Sequence, residues 1–169
     1  LFDLDENPME TLPEEGMPTV HGTHVAGIIA ANGEHKGVAR EALIYAYRAL
    51  GPGGYGWTVH GLAALEQAVR DRVDIINLSL GNNVNGPDYP TSTAVNKAVE
   101  LGIPVVIANG NSGPAPWTVG SPATAKDALS VGAIQPPSKE MHLIHAAERK
   151  EIQLIPMLGA PGWNLTKDY

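Results

Sequence analysis

The 169-residue sequence contains no cysteine. That excludes a disulfide framework and any thiolate metal site, without indicating a compartment. Basic residues are scarce as well, 11 Lys and Arg against 18 Asp and Glu, for a formal charge of −7. Asp3, Asp5, Glu6, Glu10, Glu14 and Glu15 crowd the start of the chain, and the first basic residue is Lys36. With no basic stripe to displace counterions, nucleic acid is excluded as a partner. Long hydrophobic runs are missing too. The apolar stretches are short and broken by Gly, Asn or a charge, so a membrane span is not expected. No basic-then-apolar leader opens the sequence, and any secretion signal is expected to have been removed or to lie outside it. Internal repeats and low-complexity runs are absent.

What is present is a globular composition. Hydrophobic residues make up 43%, charged residues 17%, and mean hydropathy is close to zero. A disordered tail or a coiled coil would look different. The 19 glycines and 14 prolines follow no period, so they mark tight turns between elements. The length suits one domain that buries roughly 70% of its extended-chain surface.

Residues 1–19 are acidic, proline-bearing and aperiodic, and read as a surface loop. Residues 21–32 (HGTHVAGIIAAN) place Val25, Ile28 and Ile29 at helical spacing before an Asn32-Gly33 stop. Residues 42–50 are short and apolar and predict a buried strand; GPGGYG at 51–56 predicts a loop. Thr58 is the expected N-cap of a helix reaching Arg72, with Val59, Leu62, Leu65 and Val69 on one face. Further strands are expected at 73–80, 103–108 and 128–134, and a helix from Thr91 to Leu101 ending at Gly102. Alternating helices and continuous apolar strands predict an α/β fold, a doubly wound, mostly parallel sheet with helices on both faces. Ligands of such sheets bind off the carboxyl ends of the strands, here loops 51–56, 81–90 and 109–122. Residues 135–169 break the pattern and read as the start of something that continues.

His21-Gly22-Thr23-His24 sets two imidazoles at i and i+3 on a helix, and His142 and His145 repeat the spacing. Three readings compete: ordinary surface histidines, a shared metal ion, or a catalytic imidazole at a strand-to-helix junction. The metal reading lacks the Glu of a helical HExxH motif and any cysteine ligand, so no metal site is assigned.

HGTHVAGIIAANG is followed in order by GVA at 37–39, NLSLG at 77–81, ANGNSG at 108–113 and TVGSPATA at 118–125. This series resembles the subtilisin-like serine peptidases (subtilases) over about residues 18–134. It is most similar to the bacterial secreted members with a protease-associated insertion. The resemblance implies a partial subtilisin-like peptidase domain at 1–134, with such an insertion or a connecting segment starting at 135–169. It implies that His21 is the catalytic base, with His24 packed and idle. Asn111 would donate its side-chain amide to the oxyanion, and Asn109 is the alternative if the turn is read two residues out of step. Ser79, Leu80 and Gly81 would form an extended edge that binds the substrate backbone. Gly54, Tyr55 and Gly56 would form the opposing edge, so that a peptide enters as an added strand. Gly120 would lie in the floor or wall of the first specificity pocket, its missing side chain leaving room for a large one. For these glycines, turn geometry alone is an equal alternative.

A serine hydroxyl becomes nucleophilic when an imidazole takes its proton and a buried carboxylate fixes the imidazole's tautomer. The family's aspartate motif, Asp-Thr/Ser-Gly, is absent: Asp3 and Asp5 lack that context. None of Ser79, Ser92, Ser112, Ser121, Ser130 and Ser138 lies in a Gly-Thr-Ser-Met-Ala motif. Gly110-Asn111-Ser112-Gly113 superficially matches the Gly-Asp-Ser-Gly of trypsin-like enzymes, but those are all-β, and Ser112 is rejected as nucleophile. The expectation is therefore a fragment of a serine endopeptidase, inactive alone, with its aspartate upstream and its serine downstream. Two other readings stand beside it: a catalytically inactive peptide-binding module, and a metal-dependent hydrolase using the histidine pairs. The family chemistry requires no cofactor. A structural calcium ion would have to use the acidic loop 3–15, whose carboxylates follow no ligand spacing. The substrate would be a protein or peptide, and the location extracellular or cell-wall associated. No sequence feature specifies an oligomeric state.

Overall fold

A computed structural model describes residues 21–133 and, beyond them, the backbone of two strands at 142–148 and 151–157. The acidic loop 1–19 lies outside the described residues. Three helices and three short parallel strands come first: α1 (His21–Ala30), α2 (Thr58–Arg70), β1 (Ile76–Leu78), α3 (Pro90–Glu100), β2 (Val105–Ala108) and β3 (Leu129–Val131). The strands lie in the order β1-β2-β3, with Ile76 opposite Val105 and Val106 opposite Leu129. Strands β4 (His142–Glu148) and β5 (Glu151–Met157) form a separate antiparallel pair with His142 opposite Met157.

The core follows from the two periodicities. Leu65 and Ala68 of α2, and Val95 and Ala98 of α3, sit three residues apart on one face of each helix. They meet Val105 and Ile107, which alternate inward along β2. Ile76, Ala123 and Ala125 complete the cluster. Val59, expected on the buried face of α2, is 58% exposed.

Both long helices end in the same way. After α3, Gly102 takes a left-handed conformation (φ +91°), and the amides of Gly102 and Ile103 reach back to the Val99 and Ala98 carbonyls at 2.9 and 3.1 Å. After α2, Arg72 does the same at φ +56°, with Val73 N–H donating to Ala68 at 3.3 Å. The helix therefore stops at Arg70, two residues before the expected end. At its start Trp57 is the N-cap, not Thr58. His60 Nδ1 accepts from the Trp57 amide at 3.4 Å, and the Thr58 hydroxyl is engaged elsewhere.

Helix α1 is closed by the segment that follows it. The amides of Gly37, Val38 and Ala39 donate to the Ala31, Ile28 and Ile29 carbonyls at 2.8, 3.1 and 2.7 Å. A Cβ on Gly37 would come within 2.6–2.8 Å of the helix backbone, so only glycine permits this return.

The strand expected at 42–50 is not formed. The segment is irregular, with Leu43 87% and Tyr45 60% exposed and no ladder partner among the described residues. A strand needs a neighbour for its amides and carbonyls, and apolar sequence alone does not supply one. What fixes this segment is Tyr47, whose hydroxyl donates to Asp71 Oδ2 at 2.6 Å, while Gln67 Nε2 donates to Oδ1 at 2.8 Å. Burial of the ring, then the hydrogen bond and the negative charge of Asp71, push the Tyr47 hydroxyl up to about 12. No helix among the described residues is long and apolar enough to cross a membrane.

Candidate functional site

The first residues past β1 and β2 form one connected surface at the carboxyl end of the sheet. His21, the first residue of α1, donates from Nε2 to the Ser79 carbonyl at 2.8 Å. Fifty-eight residues apart in sequence, the expected base and the expected substrate edge are in direct contact. The bond places a proton on Nε2. Asn77 Nδ2 donates to Ser79 Oγ at 3.0 Å, fixing that side chain within the strand end.

Beyond Ser79 the chain is held against residues 119–125. Asn82 N–H donates to the Ser121 carbonyl at 2.8 Å, and Ser121 N–H to the Val84 carbonyl at 2.9 Å. Asn85 Nδ2 donates to the Val119 carbonyl at 2.7 Å. Two glycines make this approach feasible. A Cβ on Gly81 would lie 2.8 Å from the Ser121 carbonyl oxygen, and one on Gly120 would overlap the Asn82 carbonyl oxygen outright. A side chain at either position would thus meet this chain's own backbone.

Beneath the contact lies a buried hydroxyl cluster. Ser92 and Ser121 are fully buried. Thr124 Oγ1 lies 2.9 Å from the Gly86 carbonyl and 2.9 Å from Ser121 Oγ, and Ser92 Oγ lies 3.0 Å from Thr124 Oγ1. Ser121 Oγ is also 2.9 Å from both the Val84 and the Gly86 carbonyls. One proton per hydroxyl satisfies the set: Ser92 to Thr124, Thr124 to Gly86, Ser121 to Val84. This cluster was not foreseen. Its only trace in the sequence is the pairing of the Asn- and Gly-rich run 81–86 with Ser-Pro-Ala-Thr at 121–124, which reads as two turns until the fold sets them together.

After β2, Asn109 is built into the sheet end. Its amide donates to Val131 at 2.9 Å and its carbonyl accepts from Gly120 at 3.2 Å; its Oδ1 is buried without a partner among the described residues. Gly110, at φ +92°, turns the chain outward, and Asn111 is exposed beyond it. Ser112 donates to Asn83 Oδ1 at 3.2 Å, which ties this loop to the one after β1.

Gly54, Tyr55 and Gly56 lie at the head of α2. Gly54 is in a left-handed turn at φ +78°, Tyr55 is extended and exposed, and a Cβ on Gly56 would come within 2.5 Å of the Ala49 carbonyl. The hydroxyls of Thr58 and Tyr89 share a hydrogen bond of 3.1 Å, joining this end of α2 to the loop that leads into α3.

Among the described residues no group of three or more His, Asp or Glu could hold a metal ion. His142 and His145 lie in β4, where the three-residue spacing that pairs imidazoles on a helix has no such meaning.

The sequence model of the Subtilase family matches residues 6–168. The chain belongs to the subtilase family. It is 54% identical over 140 residues to the minor extracellular protease Vpr of Bacillus subtilis (strain 168), covering 82% of this chain and 17% of that protein. To subtilisin E of the same strain it is 42% identical over 137 residues, covering 75% of this chain and 34% of that protein. Among solved structures, sphericase superposes with a TM-score of 0.58 at 32% identity, over 80% of this chain and 44% of that one. The subtilase segment thus spans less than half the length of each of these relatives. Its parallel sheet with helices is the subtilisin-like α/β fold in part.

Proposed function

We propose that these residues are the central part of a secreted subtilisin-like serine endopeptidase and supply its base, its oxyanion donor and its substrate edges. The observation that carries this reading is the His21–Ser79 contact, which sets an imidazole at the edge where a peptide backbone would lie. Asn111, exposed past the turn at Gly110, is available to a carbonyl oxygen that gains charge; Asn109, locked into the sheet end, is not. Loss of such a donor costs on the order of 10²–10³ in turnover, a magnitude whose worked example is subtilisin itself.

To act as base, His21 must present an unprotonated Nε2 to the serine. A carboxylate at Nδ1 would hold the proton there and release the bond to Ser79. The aspartate and the serine come from outside the motifs of this sequence, and no step requires a metal or cofactor. The calcium ion that the resemblance allows would fall on loop 3–15, outside the described residues. Residues 1–134 belong to the peptidase domain, and 135–169 begin an insertion or connection. The substrate is a protein or peptide, met outside the cell.

A fluorophosphonate probe applied to the complete polypeptide encoded around residues 1–169 tests this. Labelling that disappears in His21→Ala supports the assignment. No labelling of the wild type, with peptide binding retained, identifies a binding module in which His21 does no proton transfer.

A further inference from the structure

We infer that Ser112 and Asn83 are positioning residues that hold Asn111 in place for catalysis, through the hydrogen bond that joins their two loops. The inference rests on the reading above that Asn111 donates to the oxyanion. Such a donor must already be in position when the charge appears, since reorienting it during the reaction costs what it would gain. The turn that carries Asn111 has little else to hold it. Residues 110–117 are all exposed, and nothing lies within 4 Å of a Cβ built on Gly110. Asn109 fixes the start of the turn through its bonds to Val131 and Gly120. Past it, Thr118 Oγ1 donates to the Ala115 carbonyl at 2.7 Å, which stays within the loop. Among the described residues, only the Ser112 hydroxyl ties 110–118 by hydrogen bond to another part of the chain, at 3.2 Å from Asn83 Oδ1.

The acceptor end of this bond is pinned. Asn83 sits between Asn82, whose amide donates to the Ser121 carbonyl at 2.8 Å, and Val84, whose carbonyl accepts from the Ser121 amide and hydroxyl, each at 2.9 Å. The Asn82 side chain accepts the Val84 amide at 2.9 Å, which closes the turn around Asn83. Ser121 itself is fully buried. A line of hydrogen bonds thus runs from buried Ser121, through the loop after β1, to the residue next to Asn111. Ser112 touches no reacting atom on this reading. It limits where its neighbour's amide can point.

The test measures kcat and KM of the complete polypeptide on a tetrapeptide anilide. Asn111→Ala should lower kcat by roughly 10²–10³. Ser112→Ala and Asn83→Ala should each lower kcat about three- to tenfold, with KM within about twofold. Both side chains are exposed, so neither substitution disturbs the core. Ser112→Thr, which keeps the hydroxyl, should recover most of the loss. In the Asn111→Ala background, Ser112→Ala should cost nothing further, because the residue it positions is gone. A purely structural role would lower kcat in that background too. An undiminished kcat in Ser112→Ala, a change confined to KM, or a loss that persists without Asn111 overturns the inference and leaves the peptidase reading standing. Wild-type kcat in Asn111→Ala overturns the donor assignment and this inference together. No cleavage by the wild type overturns the peptidase reading as well.

Discussion

Replacing Gly120 by alanine adds one methyl group in the path of the Asn82 carbonyl oxygen. Overpacking usually costs about 1–3 kcal/mol, because neighbouring side chains can turn aside. Here the obstacle is backbone, and it is tied down. Relieving the clash means parting Asn82 N–H from the Ser121 carbonyl, Ser121 N–H from Val84, and Ser121 Oγ from Val84. At about 1 kcal/mol for each hydrogen bond the loss is about 3 kcal/mol, larger if Ser121 stays buried and unsatisfied. The assay is hydrogen–deuterium exchange in the complete polypeptide, read on peptides covering 82–86 and 119–125. Three kcal/mol corresponds to roughly a hundredfold faster exchange of those amides, since each 1.4 kcal/mol is tenfold. Amides of α2 and α3 should be unaffected. Exchange within threefold of wild type at Asn82 and Ser121 would mean that the oxygen slides aside, and the account of a pinned loop would be refuted.

Gly61→Ala makes the opposite case: it lies inside α2 with nothing within 4 Å of a built Cβ, so urea denaturation should show a gain of about 0.4–1 kcal/mol. Tyr47 has its folded pKa raised above the unfolded value, so its contribution to stability is complete below pH 10 and is lost as pH rises towards about 12. Tyr47→Phe should therefore flatten the alkaline loss between pH 10 and 12, and an unchanged profile by circular dichroism would show that Asp71 is not the partner that matters. The isolated 169 residues should aggregate and leave casein uncut. Leu43, Tyr45 and Ile75 are each at least 60% exposed, and β1 has one strand neighbour among the described residues. A soluble monomer by light scattering, with casein cleavage abolished by His21→Ala, would contradict that.

Which parts of this fold could be read in advance depended on how local their causes are. The carboxyl end of α3 was legible to within a residue because Gly102 is itself the residue that adopts the left-handed cap, and Ile103 bonds back within the same turn. The end of α2 was misplaced because Arg72 adopts the same cap without glycine to announce it. Residues 42–50 have the composition of a strand, but a ladder is a property of two segments, and no described segment pairs with this one. The same distinction divides the candidate site. His21, Ser79 and Asn111 could be named from short motifs, since each motif carries its own turn or helix start. Gly120 could be named too, but its meaning could not. A glycine in sequence says only that a side chain is missing. That the missing side chain here admits the chain's own Asn82 carbonyl depends on the loop at 81–90, which the Ser121 and Thr124 hydroxyls hold from 35 to 38 residues away. The motif therefore names the glycine, while the loop across from it explains why no side chain fits there.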